Sequence, residues 1–308
     1  MDASEVYDRQ IRLWGMEAQK RMQEARVLFC GLRALPAEIC KNVILAGINV
    51  ALLDAETVTH EDLCAQFFLR PEHVGMNRAE ACLPGVREMN PLATVECHTS
   101  PPSSLPDTFF SSFDIIVASD LPPSQLIRLD ALMRERGREA GRGGGFMYAD
   151  TFGLHGWAFP AAPKEFTLSY PSLQEALSEP WSSLKNRFPV PRVFVMGRLL
   201  GIFDEKHGCR PSPSASGKEV ALFVSESQAA LLENGLEEGF LSEEELRALA
   251  ISGRTELSPV CAVIGGILGQ EILKAVSRKG EPALNCFLWD GETHEGRVIQ
   301  VPPPAVKR

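Results

Sequence analysis

The chain has 308 residues, and 40 acidic side chains against 31 basic ones give it a formal charge of −9. With 44% hydrophobic and 23% charged residues it has a globular composition, with room for one large domain or two modest ones. The acidic balance makes nucleic acid a poor partner. The longest apolar run, near residues 260–269, is about half the ~20 residues of a membrane span, so no membrane partner is expected.

The first clear element is a polar helix over 16–25, leading into an apolar strand, Arg26 to Cys30, and then Gly31. Apolar residues at Ile39, Val43, Ile44 and Ala46 have helical spacing, which predicts a helix over 36–46. Pro36 suits its first position and Gly47 its stop. A second strand, Val50 to Leu53, ends at Asp54. Strand, glycine turn, helix and strand make a βαβ unit and imply a parallel sheet.

The alternation continues with a helix over 77–89 (Pro84 inside it), strands over 94–98 and 114–119, a helix over 124–138 and a strand over 146–149. Residues 1–160 therefore read as a doubly wound α/β domain. Residues 161–256 differ, with prolines, a polar loop over 204–218 and an acidic stretch. From Ser225 to Glu256 there are eight Glu and two Arg, which reads as a solvated helix face. Ser258-Pro259 then opens a helix to about 276, with Gly280 as its stop, and strands over 285–290 and 297–301 complete residues 257–308. A sheet-type ending after a different middle points to an insertion into one α/β domain.

The eight cysteines lie at least ten residues apart, so no Cys-x-x-Cys exists and the common zinc and redox motifs are absent. Residues 1–5 carry neither the basic nor the apolar part of a secretory signal. The thiols are therefore expected to be reduced, in the cytosol or nucleus. Cys209 has basic neighbours, Lys206, His207 and Arg210, but sits in the polar loop.

Gly31 occupies the place of a Rossmann-type phosphate loop, where backbone N–H groups meet phosphate at a helix start. The run Gly31-Leu32-Arg33-Ala34-Leu35-Pro36 keeps one glycine and adds a proline, which has no N–H. Asp54, at the second strand's end, suits a ribose hydroxyl. A lone Asp at a strand end is, however, more often a cap or turn residue.

Tyr7-Asp8-Arg9-Gln10-Ile11-Arg12-Leu13-Trp14-Gly15 resembles the opening motif of the ubiquitin-like-protein activating enzymes. Three more stretches resemble that family in order and spacing. They are Gln66 to Arg70 with His73-Val74-Gly75 and Arg78-Ala79, the glycine-bearing run Ser258 to Glu271, and Phe287-Leu288-Trp289-Asp290-Gly291. In the middle, Phe152-Gly153-Leu154-His155-Gly156, Ser172 to Leu177 and Trp181-Ser182-Ser183 are similar to the small, non-thioester subunits of the branch that activates SUMO.

The resemblance implies an adenylation fold whose halves work in pairs. It places Arg33, Ala34 and Pro36 at the glycine-loop positions, Cys64 and Ala65 near the polar pair that clamps phosphate, and Arg78 at the family's lysine. Asp54, Arg78 and Asp120 remain as a vestigial nucleotide site, and Arg33 is expected in the phosphate space. It further implies that Arg9, with Arg12 as a second candidate, reaches the ATP phosphates of a large catalytic subunit. That subunit would bind ATP and Mg2+, hold the zinc and the thioester cysteine, and pass SUMO to a conjugating enzyme. No metal is expected in this chain, and the location implied is nuclear and cytoplasmic. A self-sufficient homodimeric adenylating enzyme for a ubiquitin-like or sulfur-carrier protein, and a non-catalytic scaffold, stay open as alternatives. A dehydrogenase is disfavoured, since one glycine does not make a dinucleotide loop.

Overall fold

A computed structural model describes residues 3–139, 144–161, 170–185, 189–212 and 214–303. Three helices come first: α1 (Ala3–Val6), α2 (Asp8–Trp14) and α3 (Met16–Glu24). Next are β1 (Arg26–Cys30), α4 (Ala34–Leu45), β2 (Asn49–Leu53), α5 (Arg78–Met89) and β3 (Val95–His98). They are followed by α6 (Asp107–Phe110), β4 (Ile115–Ala118), α7 (Pro123–Glu139), β5 (Gly145–Phe152) and β6 (His155–Ala161). Four helices then come in succession, α8 (Leu173–Ser178), α9 (Arg192–His207), α10 (Gly217–Glu233) and α11 (Glu243–Ser252). The long α12 (Ser258–Ser277) leads to β7 (Cys286–Asp290) and β8 (Glu295–Ile299).

The sheet runs β3-β2-β1-β4-β5-β6-β7-β8. The first five strands are parallel, and β6, β7 and β8 pair antiparallel. Strand alternation divides the core. Val27, Phe29, Leu52, Val117 and Met147 face α4, α5 and α12, while Leu28, Cys30, Ile116, Phe146 and Tyr148 face α7 and α9. Because helices cover both faces, these strands read as nearly continuous apolar runs.

Several expectations shift. Helix α4 starts at Ala34, so Pro36 lies at its third position and not its first. Gly47 does follow its end, with φ +92° and the Tyr7 ring 2.9 Å from where a Cβ would lie. Helix α9 runs through His207 and shortens the expected 204–218 loop. Helix α12 stops at Arg278, itself left-handed at φ +59°, before Gly280. The turn Gly153-Leu154 carries the chain from β5 straight into β6, a strand that was not expected.

Helix α12 is, at 20 residues, long and apolar enough to cross a membrane. Here it is a core helix. The would-be Cβ atoms of Gly265 and Gly269 lie 2.8 and 2.9 Å from Glu38 and Asn42 of α4, so glycine lets the two helices touch. Gly266, by contrast, meets nothing within 4 Å.

Candidate functional site

The carboxyl ends of β1, β2 and β4 meet the start of α4, the place where open α/β sheets bind ligands. Gly31 turns there with φ +89°, and its would-be Cβ lies 3.0 Å from the Ser119 carbonyl, so only glycine fits comfortably. Gln66 donates to the Leu32 carbonyl at 3.1 Å and pins the loop.

The anion position at the helix start is filled from within the chain. The Glu256 carboxylate accepts from the Ala34 N–H at 2.8 Å and from the Leu35 N–H at 3.0 Å. These are the unpaired donors that a phosphate would otherwise take. They also explain why α4 begins two residues before Pro36. Arg33, expected in the phosphate space, instead flanks its occupant: its Nε lies 3.5 Å from Glu256, and its other approaches are to Asp120 (3.6 Å) and Asp62 (3.8 Å). Its Nη2 donates to the Arg254 carbonyl at 2.8 Å.

Asp54, Arg78 and Asp120, the residues expected to form a vestigial nucleotide site, come together in the same network. Asp54 is buried, and its Oδ2 accepts from the Leu32 N–H and from Arg78 Nη1, both at 2.8 Å. Its Oδ1 accepts from the Glu56 N–H. Arg78, also buried, continues to Asp62 at 3.6 Å. Asp120 follows β4 with a left-handed φ of +58°.

A second buried charge group adjoins it. Arg210 pairs with Asp150 of β5 at 2.5 Å and approaches Asp204 of α9 at 3.6 Å, while the Tyr148 hydroxyl donates to Asp150 at 3.1 Å. The carboxyl groups respond to their settings. Burial pushes Asp54, Asp150 and Glu256 above the ordinary carboxylate range despite their arginines. Burial opposes ionisation of Asp120 as well, but Arg33 and then Arg210 outweigh it and hold that group low.

Outside this network a cleft of about 200 Å³ is lined by Arg33, Asp62, Cys64, Ala65 and Arg254. Cys64 and Ala65 line this cleft with side chains that cannot clamp a phosphate. A nucleotide does not fit the donor set. Both α4 amides, the Asp54 carboxylate and the arginines are already engaged. Among the cysteines, burial raises Cys82 and Cys261 to about 12, which makes them poor nucleophiles. Cys209 is exposed, just beyond α9.

Arg9 stands apart. Helix α2 is held to the body by its neighbours: buried Tyr7 accepts from Asn90 Nδ2 at 2.9 Å, and Gln10 Nε2 donates to the Leu45 carbonyl at 3.1 Å. Arg9 itself is exposed and has no ion pair among the described residues. Arg12 is exposed too, but pairs with Asp8 one turn back at 3.0 Å. Leu13 and Met16 beside them are 71% and 63% exposed, the most exposed of the large apolar side chains among the described residues.

Sequence reading missed Glu256 and Arg210. It took Glu256 for the end of a solvated acidic face, and nothing in the local sequence marks either residue as buried.

The ThiF family profile matches residues 7–307. The chain belongs to the ThiF family. It is 33% identical over 332 residues to SUMO-activating enzyme subunit 1 of Xenopus laevis, covering 95% of this chain and 94% of that protein. Homo sapiens subunit 1 is 33% identical over 333 residues, with 95% and 93% covered. Arabidopsis thaliana SUMO-activating enzyme subunit 1B-1 is 32% identical over 309 residues, with 95% and 94% covered. The α/β sheet with its five parallel strands agrees with membership of this adenylation-type family.

Proposed function

We propose that this chain is the small, non-thioester subunit of a heterodimeric enzyme that activates SUMO. The large subunit binds ATP and Mg2+, holds the zinc and the thioester cysteine, and passes SUMO to a conjugating enzyme. The carrying observation is the Glu256 carboxylate on the Ala34 and Leu35 amides, which leaves this chain's own cradle no room for a triphosphate. The near-complete coverage by SUMO-activating subunits supports the choice of modifier. The eight free cysteines suit a reducing compartment, and we place the enzyme in the nucleus and cytoplasm.

Within that enzyme Arg9 acts in trans. The modifier's terminal carboxylate attacks the α-phosphate of ATP and pyrophosphate leaves, so negative charge grows on the departing oxygens. A guanidinium fixed in place matches those oxygens with two parallel N–H donors and needs no reorganisation as charge develops. Tyr7 and Gln10 supply the fixing, and the absence of an ion pair among the described residues leaves Arg9 available. Exposed Leu13 and Met16 suit burial against the partner subunit. Arg12, occupied by Asp8, plays a lesser part. Asp54, Arg78 and Asp120 serve internal charge balance. Residues 1–160 and 257–308 form the adenylation-like body, and 161–256 an inserted half-domain without a nucleophile.

Reconstituting the heterodimer with Arg9→Ala tests this. ATP–pyrophosphate exchange should slow at least tenfold, about 1.4 kcal/mol of transition-state stabilisation, while the heterodimer stays intact. Unchanged exchange overturns the role of Arg9. Exchange catalysed by the purified chain alone would overturn the subunit reading and favour a self-sufficient homodimer.

A further inference from the structure

The filled cradle has mechanical consequences that do not depend on the modifier or on Arg9. Glu256 belongs to the short joint, residues 253–257, between α11 and α12. This is where the chain leaves the helical segment and returns to the sheet. The joint is tied at three successive residues. The Arg254 carbonyl accepts from Arg33, the Thr255 carbonyl accepts from the Gly153 N–H at 2.8 Å, and the Glu256 carboxylate takes the two α4 amides. Gly153 is the turn between β5 and β6, so one joint grips both the cradle and the sheet's parallel-to-antiparallel turning point.

At its near end, Gly253 packs so closely that a Cβ would lie 2.7 Å from Leu200 of α9. Arg210, whose loop joins α9 to α10, enters the same region through Asp150 and, at longer range, Asp120. The charges facing Glu256 come from separate parts of the chain, Arg33 before α4 and Asp120 after β4, and Arg33 in turn approaches Asp62 before α5.

We infer that the vestigial nucleotide cradle works as a latch, in which Glu256 takes the place of a phosphate and holds the α8–α11 segment in a fixed position against the sheet. Glu256 is thus a positioning residue, and the cradle is closed to nucleotide by the chain itself. A phosphate bound at this helix start would use the same two amides. Here they fasten the joint instead, and the binding function is exchanged for rigidity.

Amide hydrogen exchange on the full chain tests the latch. Glu256→Ala should raise exchange at least tenfold in two places, the amides of Ala34, Leu35 and Ala37 and those of residues 253–258, while the amides of β1 and β4 stay at the wild-type rate. Glu256→Gln, which keeps the shape and one acceptor but loses the charge, should give a smaller rise at the same places. In the wild-type chain, millimolar ATP should leave exchange over 31–37 unchanged. An unchanged rate at both places in both variants overturns the latch. So does an equal rise throughout the sheet in both variants, which would mark Glu256 as a general stability residue, and so does protection of 31–37 by ATP.

Discussion

Arg9 and the arginines of the cradle differ in what surrounds them. Arg33, Arg78 and Arg210 point inward and meet Asp54, Asp62, Asp120, Asp150, Asp204 and Glu256, all supplied by the same chain. Arg9 points outward from a helix clamped by Tyr7 and Gln10 and has no acid of its own among the described residues. The inner charges are complete within this chain. Under the function proposed above, one centre is closed in the interior while Arg9 contributes to another on the partner subunit.

The contrast fails if the inner network proves to be ornamental. The largest expected effect is therefore on Arg210. Truncation by Arg210→Ala strands Asp150 in the interior, and loss of one partner of a buried pair costs about 3–5 kcal/mol. Urea unfolding should show that loss, whereas Arg9→Ala should stay within about 0.5 kcal/mol of wild type, as expected of an exposed side chain. Equal effects of the two substitutions would abolish the distinction.

A second expectation concerns how the helical segment rests on the sheet. Gly197 of α9 lies against Trp157 of β6, and a Cβ there would come within 2.9 Å of the indole. Gly197→Ala should cost about 1–3 kcal/mol by overpacking, with the larger exchange increase over α9. A neutral outcome would show that α9 shifts freely, contrary to a fixed position.

The smallest effect is on acidification. In the helical segment, Glu175 is held below the ordinary value of 4.5 by the Ser172 N–H and hydroxyl. For Glu226 slight burial is outweighed by Lys206 and His207, and for Glu245 by Ser242 and Arg192, so both are also lowered. Carboxyls lowered by folding add stability above their unfolded value, and that contribution is lost as the pH falls through the lowered one. The raised groups of the cradle, Asp54, Asp150 and Glu256, have the opposite sign, because the folded state takes up their protons first. Hydrogen exchange at about pH 4 against pH 7 should therefore show α8, α10 and α11 loosening before the sheet, and the reverse order would break the comparison.

Much of the fold was legible because it rests on local periodicity. The strand Arg26 to Cys30 was read with its observed bounds, and α3, β2, β4 and α7 within a residue or two at each end. What escaped was set by distant parts of the chain. No local signal starts α4 at Ala34, because its cap arrives from residue 256, 222 positions away. Strand β6 carries Pro160 and lacks clean alternation, and its place depends on pairing with β5 and β7. The same holds at the site. The motif around Arg9 is contiguous and could be quoted from the sequence, and Asp54 is marked by its strand end. Glu256 and Arg210 look like ordinary loop charges until the folded chain surrounds them.

The pairing of β6 with β7 also governs the order in which the molecule can be finished. Strand β6 ends at residue 161 and β7 begins at Cys286, so 124 residues lie between them. At the ~5–20 residues per second of protein synthesis, β6 would wait about 6–25 s for its neighbour. Through that interval the edge of β6 that will pair with β7 stays open, while Trp157 on its face is covered by α9. The helical segment is thus the first shelter of a strand whose permanent partner is made last, and a nascent chain that stalls within it would present an open sheet edge to its surroundings.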